Sequence, residues 1–491
     1  MTAARDDWLV SAAGADVPPT IATEAAEWLD ISARERALGI PTGQPILLSP
    51  LEIDYRLADY FREAFAMDRM STAMTYAKEL RIWFNFLRTR GLQWAEVQQG
   101  DVRAFQVWRV YDEANPATVT PATWNKGWAA LSHFYSWAQT RGWVDRSPLG
   151  KYDRLLDNTS GNAHREKNAR TSRDRWITPG DYAMWSRVGL MGYRARPAPG
   201  GRIEPALPDP SSRARCIDRN RAYSDFLLVT GLRRSEASSI LVLELPTSVG
   251  EEMPIVGKGN RFRHYRVMHS IGIESVRDYR RMGRERSIKR ARREGRYSEV
   301  QDRQVIERVE LGRRGHRLVM RDGSTQEATF LSSEHRSRLY QMTADGLEPA
   351  ALWLSERGEP LASDSWAKVF ETANRRVSAE RHRLLGGGRT IRVTPHSLRF
   401  SFALFSLLAG VRAMDHRLGS GAGEAFHAST YSQVFDDVRD LLGHANTDTT
   451  RDIYLEPVKG LRRTDLLRHS TAEEFWDQVV AHSPLIGLGR S

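Results

Sequence analysis

Three stretches decide how this chain reads: Thr230-Gly231-Leu232-Arg233-Arg234-Ser235-Glu236, then Thr394-Pro395-His396-Ser397-Leu398-Arg399, and last His444-Ala445-Asn446-Thr447-Asp448-Thr449-Thr450-Arg451-Asp452-Ile453-Tyr454. Together they offer two arginines, two histidines and a tyrosine, each in its own local setting. Arginine presents planar, permanently charged donors that match phosphate oxygens bidentately. Histidine moves protons near neutral pH. Tyrosine forms a covalent intermediate if its hydroxyl is deprotonated on attack. The set suits a phosphate-binding site with a tyrosine nucleophile; the bland alternative is surface arginines and a core tyrosine. His396 lies three residues before Arg399, which puts both on one face of a helix.

Working outward, Pro254-Ile255-Val256-Gly257-Lys258-Gly259-Asn260 reads as a strand entering a glycine-flanked turn. Arg261-Phe262-Arg263-His264-Tyr265-Arg266-Val267 nearly alternates polar and apolar residues. This predicts a β-hairpin with Lys258 at its tip. Residues 219–245 predict a buried helix over Ala222–Val229, a turn at Gly231 and a second helix. Thr178-Pro179-Gly180-Asp181 reads as a helix cap with proline at the first helical position.

Residues 49–149 predict a separate, all-helical domain. Tyr76, Leu80, Phe84 and Leu87 fall at helical spacing, as do Trp124, Trp128, Leu131 and Tyr135, the latter behind Thr120 and Pro121 as cap and first position. Asp101 precedes a third apolar helix with Phe105 and Trp108. Gly91 and Gly142 punctuate helix ends. The aromatic stripes read as core, not as base-stacking platforms. Residues 1–48 read as an acidic arm with one short helix around Thr23–Leu38; its negative balance favours an ordering or subunit-contact segment over DNA contact. Residues 150–176 read as a basic linker, and 177–491 as a mixed α/β domain. Two insertions are expected in it, near 271–345 and 411–435. The first opens with a basic tract in which nine of the seventeen residues 280–296 are Lys or Arg. The second is marked by Gly419, Gly421 and Gly423 and reads as a surface loop. Residues 471–482 read as a short amphipathic helix.

The formal charge of +11 favours a polyanionic partner. Residues 1–150 carry 15 Lys+Arg against 18 Asp+Glu, so the basic excess lies with the candidate site. The single cysteine, Cys216, excludes intrachain disulfides and fits a reducing cytoplasm. No signal-peptide pattern and no run of membrane-spanning length is visible. HExxH and paired CxxC motifs are absent, so no built-in metal site is expected.

The segments, in this order, resemble the tyrosine recombinases, or phage-type integrases, over roughly residues 50–485. The resemblance implies a mainly α fold with a small β-sheet: a helical core-binding domain that clamps one face of the duplex, then a mixed α/β catalytic domain. It implies Arg233 and Arg399 as a clamp on the scissile phosphate and Lys258 as the acid that protonates the leaving 5′ oxygen. His396 becomes general base or phosphate donor, His444 a phosphate donor, and Tyr454 the nucleophile. Glu236 orients the site. Tyr454 stands ten residues after His444, where nine is common in the family; Tyr431 is the competing tyrosine. Lys78, Arg81 and Lys126 are the candidate DNA contacts of the helical domain, and Lys289, Arg290, Arg292 and Arg293 those of the basic tract. No cofactor or metal is implied. The implied partners are double-stranded DNA, three further copies in a homotetramer joined by the C-terminal helix, and accessory DNA-bending or directionality factors. The implied setting is cytoplasmic, at the nucleoid. A transposase or resolvase of the same chemistry, or a DNA-binding relative without catalysis, are the alternatives.

Overall fold

The structure, a computed structural model, describes residues 7–14, 35, 37–49, 54–66, 70–149, 176–199, 202–257, 261–298, 300, 302–388, 391–418 and 431–443. They fall into two units, Met1–Thr171 and Ser172–Ser491.

In the first unit the apolar stripes become the inner faces of four helices: α1 (Tyr55–Glu63), α2 (Met70–Thr89), α3 (Gln99–Gln106) and α4 (Pro121–Thr140). Leu80, Phe84, Leu87, Trp124, Trp128, Leu131 and Tyr135 are all buried, in one core with Trp83, Phe105 and Phe134. Each such large apolar side chain contributes on the order of 2–3 kcal/mol by leaving water. The stripes are core, as their spacing predicts. Thr120 caps α4 by accepting from the Thr123 amide, with proline next in line. Asp101 does not precede α3 as expected. It sits in its first turn and accepts from the Gln98 amide at 3.0 Å, closing a capping box. Gly91 and Gly142 adopt φ of +68° and +72° at helix ends.

The described parts of residues 1–48 depart from an arm. β1 (Leu9–Ala12) and β2 (Pro45–Leu48) pair antiparallel, and the ribbon packs on α2. The Trp8 amide donates to Asn85 at 2.8 Å, the Trp8 ring lies 5.1 Å from Phe84, and Arg88 meets Asp7 at 2.6 Å. Apolar Trp8, Val10 and Leu47 give this segment a face to bury, and that outweighs its acidic composition. The helix expected around Thr23–Leu38 lies almost wholly outside the described residues, as does the linker apart from Trp176.

The second unit is built around α6 (Ile217–Thr230), which is buried on nearly every side. Before it come α5 (Pro179–Met184), capped by Thr178 through the Asp181 amide at 3.1 Å, and the ribbon of β3 (Tyr193–Ala198) and β4 (Arg202–Pro208). After it come α7 (Arg234–Ser238) and the hairpin of β5 (Glu252–Gly257) and β6 (Arg261–Arg266), with Gly257 opposite Arg261. The basic tract continues α8 (Ser270–Tyr279) through a wider turn at Arg280–Arg284 into α9 (Glu285–Arg293).

The rest of the first insertion is a five-stranded sheet: β7 (Gln304–Gly312), β8 (Gly315–Met320), β9 (Thr325–Glu327), β10 (Leu339–Thr343) and β11 (Gly346–Pro349), in the order β11-β10-β7-β8-β9. The short α10 (Ser333–Ser337) precedes β10. β10 runs parallel to β7 and the other pairs are antiparallel. Its inner face carries Ile306, Leu318, Met320 and Leu339.

The chain then returns to α6 through Trp353, whose indole donates to the Ala237 carbonyl at 2.7 Å, and through Trp366, stacked 3.5 Å from Tyr223. α11 (Ser365–Leu385), α12 (Pro395–Leu418) and α13 (Ser432–Leu442) complete the described unit. The expected surface loop over 411–435 is corrected at both ends. Residues 411–418 prolong α12, and α13 has begun by Ser432. Val411 and Met414 face the cluster around Phe435, so burial favours helix there. The fold is mainly α with small sheets. Among the described residues no helix is long and apolar enough to cross a membrane.

Candidate functional site

The site forms where four segments far apart in sequence meet: the end of α6, the β5–β6 hairpin, the start of α12 and the end of α13. Gly231 closes α6 with φ of +62° and returns its amide to the Leu227 carbonyl. A Cβ there would lie 2.2 Å from the Phe402 ring, so only glycine permits both the turn and the packing. The turn releases Arg233 from the core in extended conformation, as the cap of α7. Its amide donates to Glu236 Oε2 at 2.8 Å, and its guanidinium donates to Glu236 Oε1 at 2.6 Å and to the Gly443 carbonyl at 3.2 Å. The adjacent Arg234 leaves the site and pairs with Asp364 at 2.7 Å.

On β6, Arg263 points to the same place. It donates to Glu236 Oε2 at 2.7 Å and to the Leu441 carbonyl at 3.0 Å. Arg399, on the first turns of α12, is buried and donates to the Gly231 and Leu442 carbonyls, both at 2.5 Å. Three arginines therefore take the last carbonyls of α13 one each: Arg263 that of Leu441, Arg399 that of Leu442, Arg233 that of Gly443. Cations at a helix C-terminus satisfy orphan carbonyls and oppose the negative end of the helix dipole. Gly443 closes α13 at φ of +63°, and a Cβ on it would meet Arg263 Cδ at 2.4 Å. Gly257, the last described residue before the hairpin tip, lies equally close: a Cβ there would be 2.9 Å from Glu236 Oε1 and 3.1 Å from Arg233 Nη1.

Two guanidinium groups, of Arg233 and Arg263, share the Glu236 carboxylate, and a third, of Arg399, sits on the same end of α13, so the cluster carries more positive than negative charge. Burial pushes the Glu236 carboxyl up, but Arg263, Arg233 and the Arg233 amide outweigh it and hold the group below its ordinary value. Burial pulls Arg263 down from its ordinary value, partly offset by Glu236. Fixed, partly desolvated donors of this kind stabilise negative charge that grows on phosphate oxygens during transfer.

Thr394 and Ser397 cap α12 reciprocally, the Ser397 amide donating to Thr394 Oγ1 at 3.0 Å and the Thr394 amide to Ser397 Oγ at 2.8 Å. His396 stands exposed beside this cap. Lys258, His444 and Tyr454 lie outside the described residues, as does the helix expected at 471–482. Tyr431, the competing tyrosine, is 4% exposed, in the core with Phe435 and Val438. Arg263 went unassigned in the sequence because it stands among four basic residues from Arg261 to Arg266. The signal available was its place at alternate spacing from Arg261 and Tyr265, two residues before a buried position.

Of the proposed DNA contacts, Lys78, Arg81 and Lys126 are exposed on α2 and α4. Lys289, Arg290 and Arg293 are exposed on α9, the first two in pairs with Glu285 at 3.3 Å and Glu294 at 2.9 Å. Arg292 is different. It donates to Leu347 O at 3.0 Å and to Thr343 Oγ1 and Gly346 O at 2.9 Å, joining α9 to the inserted sheet. Arg284 does the same through Pro349 O at 2.6 Å. Among the described residues no group of three or more His, Cys, Asp and Glu side chains is placed to hold a metal ion.

Residues 59–142 match the family profile described as phage integrase, N-terminal SAM-like domain. Over that segment the chain is similar to the N-terminal domain of phage integrases. No curated protein sequence matches it. Similar solved structures include a lambda integrase dimer bound to a COC′ core site, with 11% identity, TM-score 0.42, and coverage of 82% of this chain and 93% of that one. The XerH site-specific recombinase on a palindromic difH substrate has 14% identity and TM-score 0.42, covering 85% and 88%. The Tn1549 transposon integrase with circular intermediate DNA has 10% identity and TM-score 0.40, covering 81% and 94%. At these scores no residue role is drawn from them.

Proposed function

We infer that this protein is a site-specific DNA recombinase that cuts and rejoins strands through a 3′-phosphotyrosyl intermediate. One observation carries the reading: Gly231–Arg233, Gly257, Arg399 and Leu441–Gly443, from segments spread over about half the chain, meet around Glu236. Two of the described positions, Gly257 and Gly443, immediately precede Lys258 and His444 in sequence.

In this reading Arg233 and Arg399 bind the two non-bridging oxygens. Arg399 exchanges a carbonyl for a phosphate oxygen as it does so, and Arg263 and Glu236 hold Arg233 in place. Tyr454 attacks phosphorus, His396 takes its proton, Lys258 gives a proton to the departing 5′ oxygen, and His444 donates to a phosphate oxygen. The O–P bond to tyrosine replaces the O–P bond to the 5′ oxygen, so no nucleotide or redox cofactor is consumed. Rejoining reverses the step with a new 5′ hydroxyl. Integration or excision of a mobile element, by a homotetramer on DNA with accessory bending or directionality factors, is the setting this chemistry suits; transposition or resolution uses the same step.

The test is a nicked suicide substrate with wild type and Tyr454→Phe. Wild type gives a denaturant-stable protein–DNA adduct, and the variant binds DNA yet gives none. An adduct with Tyr454→Phe removes the nucleophile assignment. No adduct with wild type favours a DNA-binding relative without catalysis.

A further inference from the structure

At the end of α6 opposite Gly231, about 20 Å away for a helix of this length, lies a second concentration of positive charge. A cleft of about 480 Å³ opens there between the start of α6 and one side of α11, with Arg213, Arg219, Lys368 and Arg376 in its lining. A second lobe of about 470 Å³ shares Arg215, Cys216 and Arg219 with the first and runs on to Arg286 and Arg290. The carboxylates that face the two lobes are Glu356, paired with Arg215 at 2.6 Å, and Asp218.

The central cation is Arg219. It is 8% exposed, yet its guanidinium meets only neutral acceptors, Asn220 Oδ1 at 3.1 and 2.8 Å and Leu354 O at 2.9 Å, with the Trp366 ring 5.4 Å away. Arg376 across the cleft likewise donates to the Gly189 and Arg213 carbonyls. Among the described residues no carboxylate lies within 4.0 Å of Arg213, Arg219, Lys368 or Arg376. A buried guanidinium without a counter-ion is costly, and an anion in the cleft relieves that cost.

We propose that this two-lobed cleft is a second phosphate-binding site, which holds the backbone of a nucleic-acid strand away from the centre around Glu236. The planar guanidinium groups match phosphate oxygens. The cations are spread over both lobes and several elements, which suits a repeating anion better than a compact one. Arg290, at the far end, is held only by an exposed pair with Glu294, and such pairs are weak enough to yield to phosphate. The site gives the outer part of the basic tract a function, and it stands whether or not the cluster around Glu236 is catalytic.

Cys216 supplies the test, because it is the chain's single cysteine and lines both lobes. Burial pushes its thiol up to about 11, so alkylation is slow enough to follow by hand at alkaline pH. The alkylation rate of the full chain is measured alone, with a short duplex of arbitrary sequence, and with inorganic pyrophosphate. At ten times its Kd the duplex slows the reaction about elevenfold, because about one molecule in eleven remains free. In the variant Arg213→Gln/Lys368→Gln/Arg290→Gln, three exposed changes, the protection disappears while thermal melting is retained. Lys368→Gln alone, which weakens protection, serves if the triple variant melts early. A Cys216 rate unaffected by saturating duplex overturns the proposal. Protection by pyrophosphate but not by duplex overturns the nucleic-acid assignment, leaving a site for a small phosphoanion.

Discussion

Glu236→Gln is the most incisive perturbation of the candidate centre. The carboxylate is 4% exposed and accepts three hydrogen bonds: the Arg233 amide, the Arg233 guanidinium and the Arg263 guanidinium, at 2.8, 2.6 and 2.7 Å. Glutamine keeps the shape but has one acceptor oxygen, and it turns an NH₂ toward a guanidinium. Removing one partner of a buried ion pair costs about 3–5 kcal/mol, because the remaining charges are left uncompensated. For a unit of this size that lowers the melting temperature by on the order of 10 °C. The pH dependence has a definite sign. The folded carboxyl titrates below its ordinary value of 4.5. Its stabilisation is complete above the unfolded value and is lost as pH falls through the folded one. Melting curves of wild type and Glu236→Gln should therefore differ by a constant amount near neutrality and converge on acidification below about 4.5. A shift under about 2 °C at neutral pH, or a gap that widens in acid, refutes the claim that Glu236 holds the arginines together.

The cations of α9 should separate by role. Replacing Lys289, Arg290 and Arg293 with serine is expected to flatten the slope of log K against log salt for duplex binding, by roughly 0.9 for each phosphate no longer neutralised. Arg292→Ala should leave that slope alone and instead lower stability by about 1–3 kcal/mol, through the acceptors it strands on the inserted sheet; denaturant titration distinguishes the two outcomes. Gly231→Ala forces a Cβ into the Phe402 ring at a left-handed position, which should cost about 2–4 kcal/mol. Phe402→Leu in the same chain should recover part of the loss in thermal melts.

Much of this protein was legible in one dimension. Helical spacing of Leu80, Phe84 and Leu87, and of Trp124, Trp128 and Leu131, identified core faces because apolar residues every three or four positions line one side of a helix, the side that packing covers. Thr120-Pro121 and Thr178-Pro179 marked helix starts because capping is local chemistry. Gly231 marked a turn because few other residues adopt positive φ there. The order of Arg233, Lys258, His396, Arg399, His444 and Tyr454 carried the resemblance on which the proposed reaction rests.

Partnerships between distant residues were not legible. That Glu236 would be shared by Arg233 and Arg263, or that three arginines would divide the carbonyls of Leu441, Leu442 and Gly443, depends on how α6, α12, α13 and a hairpin pack. Charge pattern likewise showed that residues 280–296 are basic but not which of them face water. Arg284 and Arg292 were drawn inward by the carbonyls of the inserted sheet, while Lys289 and Arg290 were left outside. The acidic N-terminal segment became a ribbon because α2 offered Trp8, Val10 and Leu47 a surface to cover. Local sequence sets backbone conformation and which face is apolar; which charges meet, and whether they meet water, is decided by distances that exist only once the chain has folded.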